Sequence, residues 1–153
     1  MIAVELTGEV ATGCGEGTYF TELPWAQREF KTKLGFTPAP GTFNLSLTGS
    51  VWDQWREKLL AAPGVVITPP PDFCSAKCFT VLLAEEVAGA VVFPAIKAYP
   101  SDKFEILTPV AVRATLGLSD GDLVKVKVWL DWGDGQLSLS QRRRGVPVEE
   151  SAL

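Results

Sequence analysis

Apolar residues in this chain come in short runs rich in Val, Ile, Leu and Phe, each closed within a few positions by Gly, Pro, Asn or Asp. Runs of that kind suit β-strands. They occupy residues 2–10, 43–47, 65–68, 79–85, 88–94, 104–107 and 123–130. Only short helical patterns interrupt them. Pro24 opens one that reaches Leu34, with Trp25, Phe30 and Leu34 able to share a face and Gly35 placed as its stop. A second covers 52–61 and ends at Pro63-Gly64; residues 109–117 hold one or two helical turns closed by Gly117. Trp52 and Trp55, three apart, are expected to pack the second helix onto the core. About six or seven strands without a βαβ rhythm favour a mainly β fold, a small β-barrel, over a Rossmann sheet.

With 153 residues, 46% of them hydrophobic, the chain can bury a core as one domain without disulfide or metal staples. Residues 1–130 are expected to form it. The remainder, 131–153, reads as a tail with an edge strand at 136–140. Its Arg142-Arg143-Arg144 run is a solvated segment or a phosphate contact. A net charge of −4 and a pI near 4.9 argue against nucleic-acid binding. No apolar run approaches a membrane span, and the first residues lack the basic and apolar regions of a secretory leader. The three cysteines, Cys14, Cys74 and Cys78, therefore read as reduced thiols in a cytoplasmic protein. Cys74 and Cys78 have a metal-like spacing, but tetrahedral zinc needs four ligands, and there is no histidine to complete the set. The same lack removes Ser-His-Asp and Cys-His nucleophiles.

Between the first strand and the first helix lies Thr12-Gly13-Cys14-Gly15-Glu16-Gly17-Thr18. Three glycines at alternate positions bury nothing. They suit a backbone that bends through positive φ or approaches a ligand closely, with N–H groups turned to an anion. The run lacks the Lys-Ser/Thr of a P-loop, and Tyr19-Phe20-Thr21 reads as extended where a dinucleotide fingerprint wants a helix. Farther on, Gly41-Thr42-Phe43-Asn44-Leu45 puts two oxygen-bearing side chains two residues apart. In a strand Thr42 and Asn44 share a face, where they could hold a hard cation such as Mg²⁺ beside phosphates or, more plainly, cap a turn. The two motifs together suggest a nucleotide site; a ligand-free hairpin is the simpler reading of the glycines alone.

Gly8-Glu9-Val10, Gly13-x-Gly15-x-Gly17, Tyr19-Phe20, Leu34-Gly35-Phe36-x-Pro38-x-Pro40-Gly41-Thr42-x-Asn44-Leu45, Gly89-Ala90, Pro94, Glu105-Ile106-x-x-Pro109, Arg113 and Asp120-Gly121-Asp122 follow in an order that resembles the archaeal CTP-dependent riboflavin kinases. The similarity runs over about residues 2–128. It implies a six-stranded, cradle-loop type barrel that transfers the γ-phosphate of CTP to riboflavin, giving FMN, with Mg²⁺ as cofactor. It further implies that Gly13, Cys14, Gly15, Glu16, Gly17 and Thr18 bind the nucleotide phosphates. Thr42 and Asn44 ligate the metal, and Val110, Ala111, Val112 and Arg113 grip cytosine and ribose. Glu105 contacts the flavin and serves as catalytic acid or base. Backbone N–H groups, one Mg²⁺ and one carboxylate are enough for phosphoryl transfer, which is mostly positioning and charge neutralisation.

The chain departs from the family at the flavin. A Pro-x-x-Thr-His segment is expected after the Gly89-Ala90 strand, and Pro94-Ala95-Ile96-Lys97-Ala98-Tyr99 stands there. The flavin-binding threonine thus corresponds to Lys97, which could bond a flavin carbonyl, contact phosphate, or mark a different acceptor. Glu105 also reads as an exposed strand residue, and Arg113 as a partner of a helix end. The alternative to a kinase is a barrel that binds nucleotide or flavin without turnover, as a sensor or partner-binding module. Neither nucleic acid nor membrane is expected as a partner.

Overall fold

A computed structural model describes residues 2–13 and 20–130. The strand expected at 136–140 and the arginines 142–144 lie outside the described residues, as do Cys14 to Thr18 of the glycine run.

The chain order is β1 (Ala3–Ala11), α1 (Pro24–Leu34), β2 (Phe43–Ser46), α2 (Ser50–Ala61), β3 (Val65–Ile67), β4 (Ala76–Leu83), β5 (Val87–Pro94), β6 (Lys103–Leu107), α3 (Val112–Leu116) and β7 (Leu123–Trp129). Every pairing is antiparallel. The order β4-β5-β6-β2-β1-β7 closes on itself, because Val81–Leu83 of β4 pairs with Val126–Val128 of β7. That is the expected six-stranded barrel. The same edge of β4 is used twice: its first residues, Ala76 to Cys78, pair instead with β3, a seventh strand outside the ring.

Alternation along the strands sorts the residues into two faces. Val4, Leu6, Val10, Phe43, Leu45, Phe79, Val81, Val91, Phe93, Phe104, Ile106, Val126 and Val128 fill the barrel, with Trp52, Trp55 and Leu59 of α2 closing one end. The tryptophans are core residues, as their spacing indicated. Outside, Ala26, Phe30 and Leu34 of α1 pack on Val65, Ile67, Ala76, Cys78, Ala90, Val92 and Leu107. The helix begins at its proline and stops at Gly35, whose φ of 85° lets its N–H reach the carbonyls of Lys31 and Phe30 at 3.1 and 3.2 Å.

Two faces of burial explain where the strand boundaries shift. β4 and β5 are covered on both sides, so their sequences run apolar without alternation. β4 therefore starts at Ala76, under α1, and ends at Leu83. Ala84 and Glu85, expected in the strand, form the hairpin turn with φ of 50° and 60°. Helix α2 starts two residues earlier than expected, at Ser50, following Gly49 at φ 103°. Cys78 is fully buried and Cys74 exposed. Burial pushes the Cys78 thiol up to about 12. A neutral buried thiol is a poor zinc ligand, and among the described residues no three Cys, Asp or Glu side chains gather to hold a metal. No described helix is long and apolar enough to cross a membrane.

The β5–β6 contact is tightest at Gly89, where a Cβ would stand 2.3 Å from the Leu107 carbonyl oxygen and 2.8 Å from Thr108 Cγ2. Backbone cannot move aside without breaking the ladder. Gly89→Ala is therefore expected to destabilise the barrel by about 1–3 kcal/mol, read as a lowered urea midpoint. An unchanged midpoint would show that β5 and β6 can separate locally at no cost.

Candidate active site

The antiparallel registers line up one residue per strand across the outer face. Ala11 pairs with Asn44, Asn44 with Glu105, Glu105 with Val92, and Val92 with Cys78. With strands about 4.8 Å apart, the row places Glu105 about 10 Å from the end of β1, where the glycine run begins. Glycine loop, Thr/Asn pair, carboxylate and apolar floor thus follow one another across four strands.

Asn44 and Thr42 are tied by their own hydrogen bonds. Asn44 Nδ2 donates to the Thr42 carbonyl at 3.1 Å, which turns Oδ1 toward the Thr42 hydroxyl, 3.3 Å away. The Thr42 hydroxyl also lies 3.3 Å from Glu105 Oε2. The two neutral hard oxygens, Thr42 Oγ1 and Asn44 Oδ1, suit a small divalent cation better than a thiophilic one, and the anionic Glu105 Oε2 stands beside them. Gly13 is pressed against this group: a Cβ there would come within 2.6 Å of Asn44 Nδ2. A side chain at position 13 would thus have to displace the Asn44 amide. Cys14, Gly15, Glu16, Gly17 and Thr18 lie outside the described residues.

On the other side of Glu105 a cleft of about 350 Å³ opens between Phe20 and the segment that carries Ile96, Ala98 and Tyr99. Its walls are mostly apolar and include Phe20, Ala76, Val92, Ile96, Ala98 and Leu107, with Thr42, Tyr99, Lys103 and Glu105 along one rim. Phe20 is fixed edge-on against Trp25 and Phe30, both centroids 5.7 Å away. A cavity of this size, apolar with polar groups at one edge, suits a flat organic molecule. Glu105 is largely buried, its side chain 18% exposed, and Lys103 Nζ stands 3.6 Å from Oε1. The Tyr99 hydroxyl donates to the same oxygen.

The residues at 110–113 behave unequally. Val110 and Ala111 are exposed, whereas the Val112 side chain is buried in the barrel core, leaving only its backbone available. Arg113 ties this segment to the start of the glycine run: Nη2 donates to the Ala11 carbonyl at 3.0 Å and pairs with Asp120 Oδ1. Asp120 Oδ2 accepts from the Thr12 hydroxyl at 2.7 Å. The Thr12 hydrogen bond, then Arg113, holds the Asp120 carboxyl below the usual carboxylate range. Two segments about a hundred residues apart thereby form one edge.

Lys97 stands apart from this group. It is exposed and does not line the cleft, although its neighbours Ile96 and Ala98 do. The ammonium beside Glu105 belongs to Lys103. Lys103 had a legible signal, since it precedes Glu105 by two in a strand and so shares its face. Tyr99 had none, because the loop that carries it has no period.

The family model CTP-dep_RFKase, described as a domain of unknown function (DUF120), matches residues 10–128. Among curated proteins, a riboflavin kinase of Methanosarcina barkeri is 38% identical over 129 residues, covering 82% of this chain and 56% of the relative. One of Pyrobaculum arsenaticum is 38% identical over 135 residues, with 84% and 62% covered. One of Archaeoglobus fulgidus is 37% identical over 131 residues, with 83% and 55% covered. The chain spans less than two thirds of the length of each of these relatives. With a family model matched over most of its length, and relatives this similar, the chain belongs to the CTP-dep_RFKase family.

Proposed function

We propose that this chain is a riboflavin kinase that moves the γ-phosphate of CTP onto the primary hydroxyl of riboflavin, giving FMN, in the cytoplasm and with Mg²⁺. The observation that carries this reading is the row across β1, β2, β6 and β5. It sets Glu105 between the Thr42–Asn44 oxygens and an apolar cleft of flavin size. The names of the relatives support the acceptor, and the family's name the nucleotide. The free Cys74 and Cys78 suit a reducing compartment.

In this reading Gly13 to Thr18 hold the triphosphate through backbone N–H groups, while Val110 to Arg113 border the nucleoside. The flavin ring lies in the cleft against Val92 and Leu107, its ribityl chain directed to Glu105. The carboxylate orients the hydroxyl and takes its proton as the oxygen attacks the γ-phosphorus and the bond to CDP breaks. Thr42 and Asn44 would hold Mg²⁺, whose charge neutralises the phosphate oxygens. The low-dielectric cleft wall strengthens every charge interaction at its rim.

Incubation with riboflavin, Mg²⁺ and each of the four nucleoside triphosphates tests the reading, with FMN separated by chromatography. CTP is expected to support turnover best, and Glu105→Gln to lower kcat by about 100-fold or more. CDP binding without FMN from any nucleotide would replace the kinase with a non-catalytic sensor.

Thr42→Val and Asn44→Leu remove one oxygen each at nearly constant volume. Both are expected to lower turnover by at least about tenfold while the melting temperature falls by only a few degrees. Extra Mg²⁺ should restore part of the activity. Losses that follow stability and ignore magnesium would make these residues turn caps.

Lys97→Thr separates position from resemblance. Because Lys97 does not line the cleft, the change is expected to leave the riboflavin KM within about a factor of two. A KM lowered tenfold would put position 97 in the acceptor site.

A further inference from the structure

The two oxygens of Glu105 are held differently. Oε1 accepts from the Tyr99 hydroxyl and faces Lys103 Nζ at 3.6 Å. Oε2 faces the Thr42 hydroxyl at 3.3 Å, on the side of Asn44 and the glycine run. Lys103 Nζ also lies over the Tyr99 ring, 5.5 Å from its centroid, so the three side chains form one cluster. Of the residues lining the cleft, Glu105 alone carries a carboxylate.

The groups at Oε1 are themselves anchored. Lys103 belongs to β6, and its backbone N–H donates to the Pro100 carbonyl at 3.2 Å. Tyr99 comes from the loop between β5 and β6, whose ends are bound elsewhere. Ala95 N–H donates to the Ser75 carbonyl at 2.9 Å, and the Trp52 indole donates to the Ser101 carbonyl at 2.8 Å. Leu47 N–H donates to the Asp102 carbonyl at 2.9 Å. Ala98, next to Tyr99, holds a φ of 63°, a conformation a non-glycine residue adopts only where its surroundings impose it. Tyr99 is thus presented to Glu105 by a braced loop.

A glutamate with three rotatable bonds does not aim itself, and a misplacement of about 1 Å at a reacting group can cost about 100-fold in rate. We propose that Tyr99 and Lys103 are positioning residues. They occupy Oε1 and so present Oε2, beside Thr42, as the oxygen that receives the acceptor's proton. The acceptor oxygen bonds to the γ-phosphorus as the bond from that phosphorus to the nucleoside diphosphate breaks, and the hydroxyl proton passes to Oε2. This rests on the kinase reading.

Two readouts test it. In steady-state kinetics with riboflavin and CTP, Tyr99→Phe and Lys103→Met are expected to lower kcat about tenfold each and leave the riboflavin KM within about twofold. Lys103→Arg, which keeps a cation at Oε1, should recover most of the loss. An unchanged kcat, or a raised KM with kcat intact, overturns the proposal and makes the pair bystanders or binding groups. Crystal structures of the two variants give the second readout, since Phe keeps the ring and Met keeps the stem. Glu105 is expected to turn Oε2 away from Thr42 or to occupy two rotamers; a carboxylate unmoved in both variants overturns the proposal. A wild type that makes no FMN with any nucleotide removes the kinase reading. The crystal structures then still decide whether Tyr99 and Lys103 hold Glu105.

Discussion

The site depends on the pairing of β2 with β6. Asn44 stands opposite Glu105 because Phe43 stands opposite Ile106 and Leu45 opposite Phe104. Those four apolar side chains point into the barrel and are almost wholly buried. A one-residue slip of β6 would turn Glu105 into the core and Phe104 and Ile106 out to water, and a slip of β2 would do the same to Asn44, Phe43 and Leu45. Burying a carboxylate among apolar groups costs several kcal/mol even after relaxation, and exposing a buried Phe or Leu loses about 1.5–3 kcal/mol each. The hydrophobic interior therefore fixes which oxygens meet outside.

Closure of the barrel leaves one region of the outer face in need of cover. Because β4 gives only its later residues to β7, its first residues and β5 present an apolar patch. α1 and β3 settle on it, joined by Lys33 Nζ donating to the Val66 carbonyl at 2.7 Å and by the Thr68 N–H donating to Glu29 Oε1 at 2.8 Å. Phe20, ahead of the helix, and Val92, Leu107 and Ala76, on which α1 also packs, line the cleft. The apolar wall of the candidate acceptor site thus shares its residues with the α1 packing surface. This accounts for a cleft of apolar floor and polar rim without any element devoted to it.

What could be read in advance follows the same physics. The bounds of α1 were legible because a proline and a glycine mark its ends. Its face was legible only in part: Ala26, not Trp25, joins Phe30 and Leu34 in the buried stripe. The number of barrel strands followed from the runs of Val, Leu and Phe. The start of β4 did not, because a strand buried on both faces shows no alternation. Thr42 and Asn44 could be paired by their spacing alone, whereas Glu105 needed the resemblance. Side-chain direction in residues 95–102 was illegible. The resemblance puts a flavin contact at Lys97, yet Lys97 is exposed and outside the cleft, which Tyr99 lines. The Arg113–Asp120–Thr12 tie was equally hidden, since it joins three segments that only the fold brings together.

The two ends of the row are built from different interactions, and the difference suits their tasks. The cleft floor is buried apolar packing, rigid because every displacement opens a void against Phe30 or Ala90. At the end proposed for the nucleotide, Thr12, Arg113 and Asp120 are all exposed, and the contacts among them are polar. Exposed polar contacts can be exchanged for contacts to a charged ligand at little cost, because water already competes for them. A flat apolar acceptor gains from a preformed slot, whereas a triphosphate with its cation gains from groups that can reorganise around its charge. Glu105 belongs to the rigid half through β6 and faces the adjustable half through Thr42. In the proposed kinase it is therefore the point where a fixed hydroxyl and a movable phosphate can be brought to a constant separation.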